Sequence, residues 1–175
     1  MLAFWIACLS LVGVLLLWLN PRLLYAGPAY ASFSSSTTQG VSALTEKVLT
    51  FDTVDIIPVG FTHSTVPFTA VRPTSTGTFK VLASIQIDKN TGGTGQVDMW
   101  VNVDGVAVPN SATKIQVDKD QELVMTVEWF LELAANQAIT VSMYSPADGF
   151  RALAVSASSP TPAIPSIILT LVKLS

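Results

Sequence analysis

The chain has 175 residues, half of them apolar and only 12% charged, with a formal net charge of −3 and a single cysteine. So weak a charge, and of that sign, supplies no basic field for nucleic acid or anionic lipid. With Cys8 alone, an intrachain disulfide is excluded and packing has to hold whatever folds.

Residues 2–19 form an apolar run of 18 residues without one charge. As a helix the run would be about 27 Å long at about 1.5 Å per residue, close to the roughly 30 Å of a bilayer's hydrocarbon. Leu2, Phe4, Trp5, Ile6, Leu11, Val12, Leu16, Trp18 and Leu19 make it a membrane anchor, with the indoles near its two ends and Asn20-Pro21-Arg22 closing it. The expectation is a transmembrane helix over residues 1–22, in which Cys8 is one more small apolar side chain. The rival is a cleaved secretory signal, for which Ala29-Tyr30-Ala31 has the small-x-small form of a cleavage site. Against it, no Lys or Arg precedes the run, which also exceeds the about 7 to 15 residues of a signal core.

Residues 23–43 are rich in Ser, Thr, Gly and Ala, with SFSSSTTQG at 32–40, and show no period that could bury a face. They read as a linker or extended arm, which leaves residues 44–175 for one folded domain. From there the period is two. Phe79, Val81, Ala83, Ile85 and Ile87 alternate with Lys80, Ser84, Gln86 and Asp88, and Val97, Met99, Val101 and Val103 with Asp98, Trp100, Asn102 and Asp104. Asp104-Gly105 then supplies a tight hairpin turn into Val106-Ala107-Val108. Leu123, Met125, Val127 and Trp129 form another strand, and Ile139, Val141 and Met143 follow the turn-like Ala135-Asn136-Gln137. Further strands are expected at 47–51, 65–71, 112–117, 151–156 and 167–174. The last is apolar on both faces, Ile168, Val172 and Leu174 lying opposite Ile167, Leu169 and Leu171, which predicts a central strand or an interface. EWFLELAANQ at 128–137 is the one helix-like stretch, yet it continues a period-two run. Strands at this spacing, separated by Pro, Gly and Asn, predict an all-β sandwich.

Groups that could carry chemistry are sparse. The only histidine, His63, neighbours Ser64, but adjacent strand residues point to opposite faces and no orienting acid is evident. The acidic run 118–122 lacks the glycine and ligand period of a calcium loop and reads as a solvated turn. Residues 91–95, TGGTG, lack the lysine and helix of a phosphate loop and read as a hairpin end. Trp100, Trp129, Phe130 and Tyr144 could form a carbohydrate platform or pack in a core or subunit contact. No catalytic residue, metal, cofactor or small-molecule substrate is expected.

The stretch GTFKVLASIQIDKNTGGTGQVDMWVNVDGVAVPNSATKIQV, with LAANQAITVSMYS and PAIPSIILTLVK after it, resembles the single jelly-roll virion proteins of large DNA viruses and tailed phages. Tumour-necrosis-factor and complement C1q-type domains share that sandwich and often trimerise through it. The resemblance covers residues 44–175 and rests on Trp100-x-x-x-Asp104-Gly105, Val108-Pro109-Asn110-Ser111 and Pro165-Ser166 leading into Ile-Ile-Leu-Thr. It implies architectural roles only. Asp104-Gly105 and Pro109-Asn110 would build turns, and Trp100 would pack near an intersubunit face. An anchor is a departure from the phage form and suits a virus with an internal membrane beneath its shell. The chain is therefore expected to be a minor capsid protein that joins viral membrane to capsid proteins, is inserted in host membrane during assembly, and meets its neighbours through Ile168, Val172 and Leu174. The other expectation is a membrane-displayed trimer of the tumour-necrosis-factor kind that binds a receptor or host surface.

Overall fold

A computed structural model describes residues 28–175, and every regular element among them is a β-strand. No helix of the described residues is long and apolar enough to cross a membrane, and the anchor expected over 1–22 lies outside them. The strands are β1 (Tyr30–Ser35), β2 (Gln39–Val41), β3 (Lys47–Val48), β4 (Thr53–Val59), β5 (Phe61–His63), β6 (Val71–Pro73), β7 (Gly77–Lys89), β8 (Gly95–Val103), β9 (Val106–Ala107), β10 (Thr113–Val117), β11 (Glu122–Leu133), β12 (Ile139–Tyr144), β13 (Phe150–Ala152) and β14 (Ile167–Lys173).

They form two antiparallel sheets face to face. In the first, the order is β2-β13-β7-β14-β1-β4, with β11 on the other side of β7. In the second it is β10-β8-β12-β6-β5, with β3 on β12 and β9 on β8. Between the sheets lie Phe33, Val81, Ala83, Ile85, Ile87, Ile167, Leu169 and Leu171 from the first and Val97, Met99, Val101, Val141 and Met143 from the second, all buried. These are the alternating apolar positions of the sequence, since a strand offers one side chain in two to each face. The all-β sandwich is as expected, and EWFLELAANQ is strand through Leu133.

The arm expected over 23–43 is corrected by β1 and β2. β1 lies between β14 and β4, paired from Tyr30↔Val172 to Ser35↔Ile167 on one side and from Tyr30↔Val59 to Ser34↔Thr53 on the other. Its inward residues are Ala31, Phe33 and Ser35, so one large side chain alone carries the core face and the alternation is invisible in composition. The strand expected at 65–71 is displaced to β6, with Phe68 making only an isolated bridge to Phe51. β4 and β5 were not anticipated, because Val54, Ile56 and Ile57 do not keep a period of two and the pairing of β1 with β4 is broken by register shifts.

Candidate interaction surface

Turn chemistry sets the edges of the candidate surface. Asp104 and Gly105 both have positive φ, 52° and 79°, as a type I′ hairpin requires. At the next turn the Ser111 N–H donates to the Val108 carbonyl at 3.2 Å with Asn110 at φ 61°, the type II pattern with proline at its first corner.

The outward face of the first sheet reads as rows across five strands. One row is Phe130, Lys80, Val172, Tyr30 and Val59. The next is Glu128, Leu82, Thr170, Ser32 and Ile56, and the third Thr126, Ser84, Ile168, Ser34 and Thr53. Phe130 is 63% exposed, Tyr30 40% and Ile168 39%. The charges in these rows are Lys80 and Glu128, paired with each other at 2.5 Å. Desolvating these three rows thus costs little in unpaired charge, with the carboxylates of Asp55, which accepts from Ser34 Oγ at 2.8 Å, and Glu132 standing at their margins, while the apolar side chains remain uncovered within the chain. Of the three residues expected at an interface, Ile168 and Val172 stand on this face, and Leu174, 53% exposed, follows the end of β14.

The outward face of the second sheet is polar. The Trp100 indole N–H donates to Asn102 Oδ1 at 2.9 Å, Asn102 Nδ2 to Ser142 Oγ at 2.7 Å, and Ser142 Oγ to Glu46 Oε1 at 2.6 Å. Lys114 Nζ lies 3.9 Å from Asp98 Oδ1, an ion-pair separation too long for a hydrogen bond, and that oxygen has no hydrogen-bond partner in the protein.

The four aromatics considered as a platform are dispersed. Trp100 and Tyr144 lie on the second sheet's outward face, and Phe130 on the first sheet's. Trp129 is buried, its N–H donating to the Ser111 carbonyl at 2.8 Å. His63 stacks on Phe68 with ring centres 4.4 Å apart, and its Nδ1 donates to the Ser64 carbonyl at 2.6 Å, which turns it into an aromatic cluster rather than toward a nucleophile. Among the described residues, no three His, Cys, Asp or Glu side chains converge as a metal site would need. An open groove of about 530 Å³ lies where Val155, Ile164 and Pro165 overhang Ser34, Ser36 and Asp55. Sequence reasoning missed Lys89, which is 1% exposed, donates to the Asp148 carbonyl at 2.9 Å and lies 4.4 Å from the Phe150 ring centre. Ending a period-two strand, it had no feature that set it apart from a surface lysine.

No protein family model matches the chain, and no curated protein matches it. Solved structures do. The globular domain of zebrafish complement 1qA protein shares 8% of residues, with a TM-score of 0.55 over 84% of this chain and 98% of that one. Murine APRIL shares 13%, with a TM-score of 0.52 over 85% of this chain and 100% of that one. The described residues fold as a C1q and tumour-necrosis-factor jelly roll. At these identities the likeness is one of fold, and within this C1q-like sandwich β7, β14 and β1 form the middle of the sheet that carries the uncovered face.

Proposed function

We propose that this chain is a non-enzymatic, membrane-anchored structural protein that works as an oligomer, its C1q-like sandwich meeting neighbouring copies or shell proteins through the outward face of the first sheet. The observation that carries this reading is the contrast between the two faces. One is polar and hydrogen-bonded within itself, and the other sets Phe130, Leu82, Val172, Ile168 and Tyr30 around the neutralised Lys80–Glu128 pair, with Asp55 and Glu132 at its margins. Apolar surface with paired charge is what a lasting interface buries. The fold likeness to C1q and APRIL domains supports self-association, with three copies the favoured number.

The finer reading is a minor capsid protein of a virion with an internal membrane, its anchor in the lipid and its sandwich against the shell. The resemblance of residues 44–175 to jelly-roll virion proteins and the apolar run at 2–19 support it. A second reading, a trimeric ligand displayed on a membrane for a receptor or host surface, is favoured by the likeness to APRIL.

The test is the mass of the full chain in mild detergent by light scattering. A multimer is expected, and Phe130→Glu with Ile168→Glu should return it to one copy while its far-ultraviolet circular dichroism stays unchanged. A wild-type monomer would overturn the oligomeric reading. Binding of the wild-type multimer to cells without other particle proteins would select the ligand over the capsid protein.

A further inference from the structure

We propose that the sandwich stands end-on against the bilayer, seating the plate around Arg72, Lys173, Thr74 and Asn136 on lipid phosphates; this rests on the anchored reading above. Since β1 begins at Tyr30, a span ending near Arg22 leaves only residues 23–29 as connection. Fully extended at about 3.5 Å per residue, they reach roughly 25 Å. β7 alone has 13 residues, about 43 Å at about 3.3 Å each. A tether shorter than the body it holds, attached at one end of that body, keeps the body from inverting to seat its opposite end on the lipid with the attached end held away.

The near end is knit into a plate. Lys173 N–H donates to the Ala29 carbonyl at 2.8 Å, Thr74 N–H to Gly60 at 2.9 Å, Asn136 N–H to Pro73 at 2.7 Å, and Leu174 N–H to Thr78 at 2.8 Å. On it, Arg72 Nη1 donates to the Asn136 carbonyl at 2.6 Å and Lys173 Nζ to Ser75 Oγ at 3.1 Å. A guanidinium has five N–H donors and an ammonium three, so both cations are positioned with donors to spare for a phosphate. Thr74, Ser75 and Thr76 are exposed beside them.

The acids at this end are Glu132 and Asp104, which balance the two cations in number, so the attraction is a local one of free N–H donors for phosphate oxygens and not of net charge; Asp104 is turned to the Ala138 N–H at 2.8 Å and Gln137 Nε2 at 3.2 Å. The far end is acidic. Asp88, Asp118, Asp120, Glu122 and Asp148 gather there against Lys119, Arg151 and the buried Lys89, so an anionic headgroup layer would repel it. Lying on the first sheet's outward face would cover the surface needed for assembly, and lying on the second sheet's would press its hydrogen-bonded Trp100, Asn102, Ser142 and Glu46 network against the headgroups.

The full chain, with Cys8→Ser, is reconstituted in phosphatidylcholine vesicles containing one-fifth phosphatidylglycerol and a headgroup-linked quencher. A fluorophore is placed on Ala134→Cys at the near end, Val124→Cys on the sheet face or Gly93→Cys at the far end. Quenching is expected to be several-fold stronger at position 134 than at 124 or 93, and Arg72→Gln with Lys173→Gln should reduce it at least twofold while the chain still floats with the vesicles. Equal quenching at 124 or 93, or quenching at 134 indifferent to the two substitutions, overturns the proposal. A chain that does not float with vesicles at all defeats the anchored reading itself, and the end-on seat with it.

Discussion

Asp52 holds one side of the turn between β1 and β2, with Ser166 and Ala154 bonded to the other. Its carboxylate accepts from the Ser36 N–H at 2.8 Å and from the hydroxyls of Ser36, Thr37 and Thr53 at 2.9 to 3.0 Å. Partial burial opposes ionisation, but the Ser36 N–H and the hydroxyls of Thr37, Thr53 and Ser36 outweigh it and hold the carboxyl below its ordinary value of 3.8. Because the folded value is the lower one, the stabilisation is present above the ordinary value and is lost as pH falls through the folded one. Urea midpoints measured from pH 6 down to pH 2 should therefore drop more steeply below about pH 4 for the wild type than for Asp52→Asn. Parallel curves would remove Asp52 from the acid response. Close by, Phe33 lies 5.1 Å from Phe68, edge to face, and 5.4 Å from His63. Phe33→Ala should cost about 3 to 5 kcal/mol in chemical denaturation, the usual range for emptying a buried phenyl site.

At the level of elements, β1 matters most because it joins β14 to β4 although its composition is that of an arm. A chain starting at residue 44 loses β1 and β2 and exposes the edge of β14 that β1 covers and the edge of β13 that β2 covers, so it should aggregate or fail to show a cooperative thermal transition. A chain starting at residue 28 should melt cooperatively. Equal melting of the two would mean that β1 adds nothing to the sandwich. The contrast also shows where sequence reading succeeds. β7, β8, β11, β12 and β14 were legible because large apolar residues occupy every second position, and the Asp104-Gly105 turn because few dipeptides accept two positive φ values. β1, with Ser and Ala in most places, and β4, with Ile56 and Ile57 exposed at a bulged edge, take their strand state from partners far along the chain. Of the candidate surface, Ile168, Val172 and Leu174 were visible as the second apolar face of a strand. Phe130, Leu82 and Tyr30 joined them only once register placed them in common rows.

For the whole molecule, the apolar run and the sandwich should separate by mutation. Leu11→Arg with Val12→Arg, at about 3 kcal/mol each for insertion, should move the chain from the membrane fraction to the aqueous one while the melting of the jelly roll is unchanged. Retention of the double variant in washed membranes would refute the anchor. The direction of β1 also decides how the molecule answers a mechanical load. It runs from Tyr30, at the start of the described fold, toward Ser35, level with Ile85 of β7, antiparallel to both neighbours. A pull applied at residue 28, as an anchor over residues 2–19 would apply it, therefore acts along the strand axis and strains the rungs to β14 and β4 in parallel, as shear, instead of peeling them off singly. Since forced unfolding is governed by the rate of crossing the barrier, a ladder loaded in shear would yield slowly under a pull that would quickly unzip a strand drawn sideways.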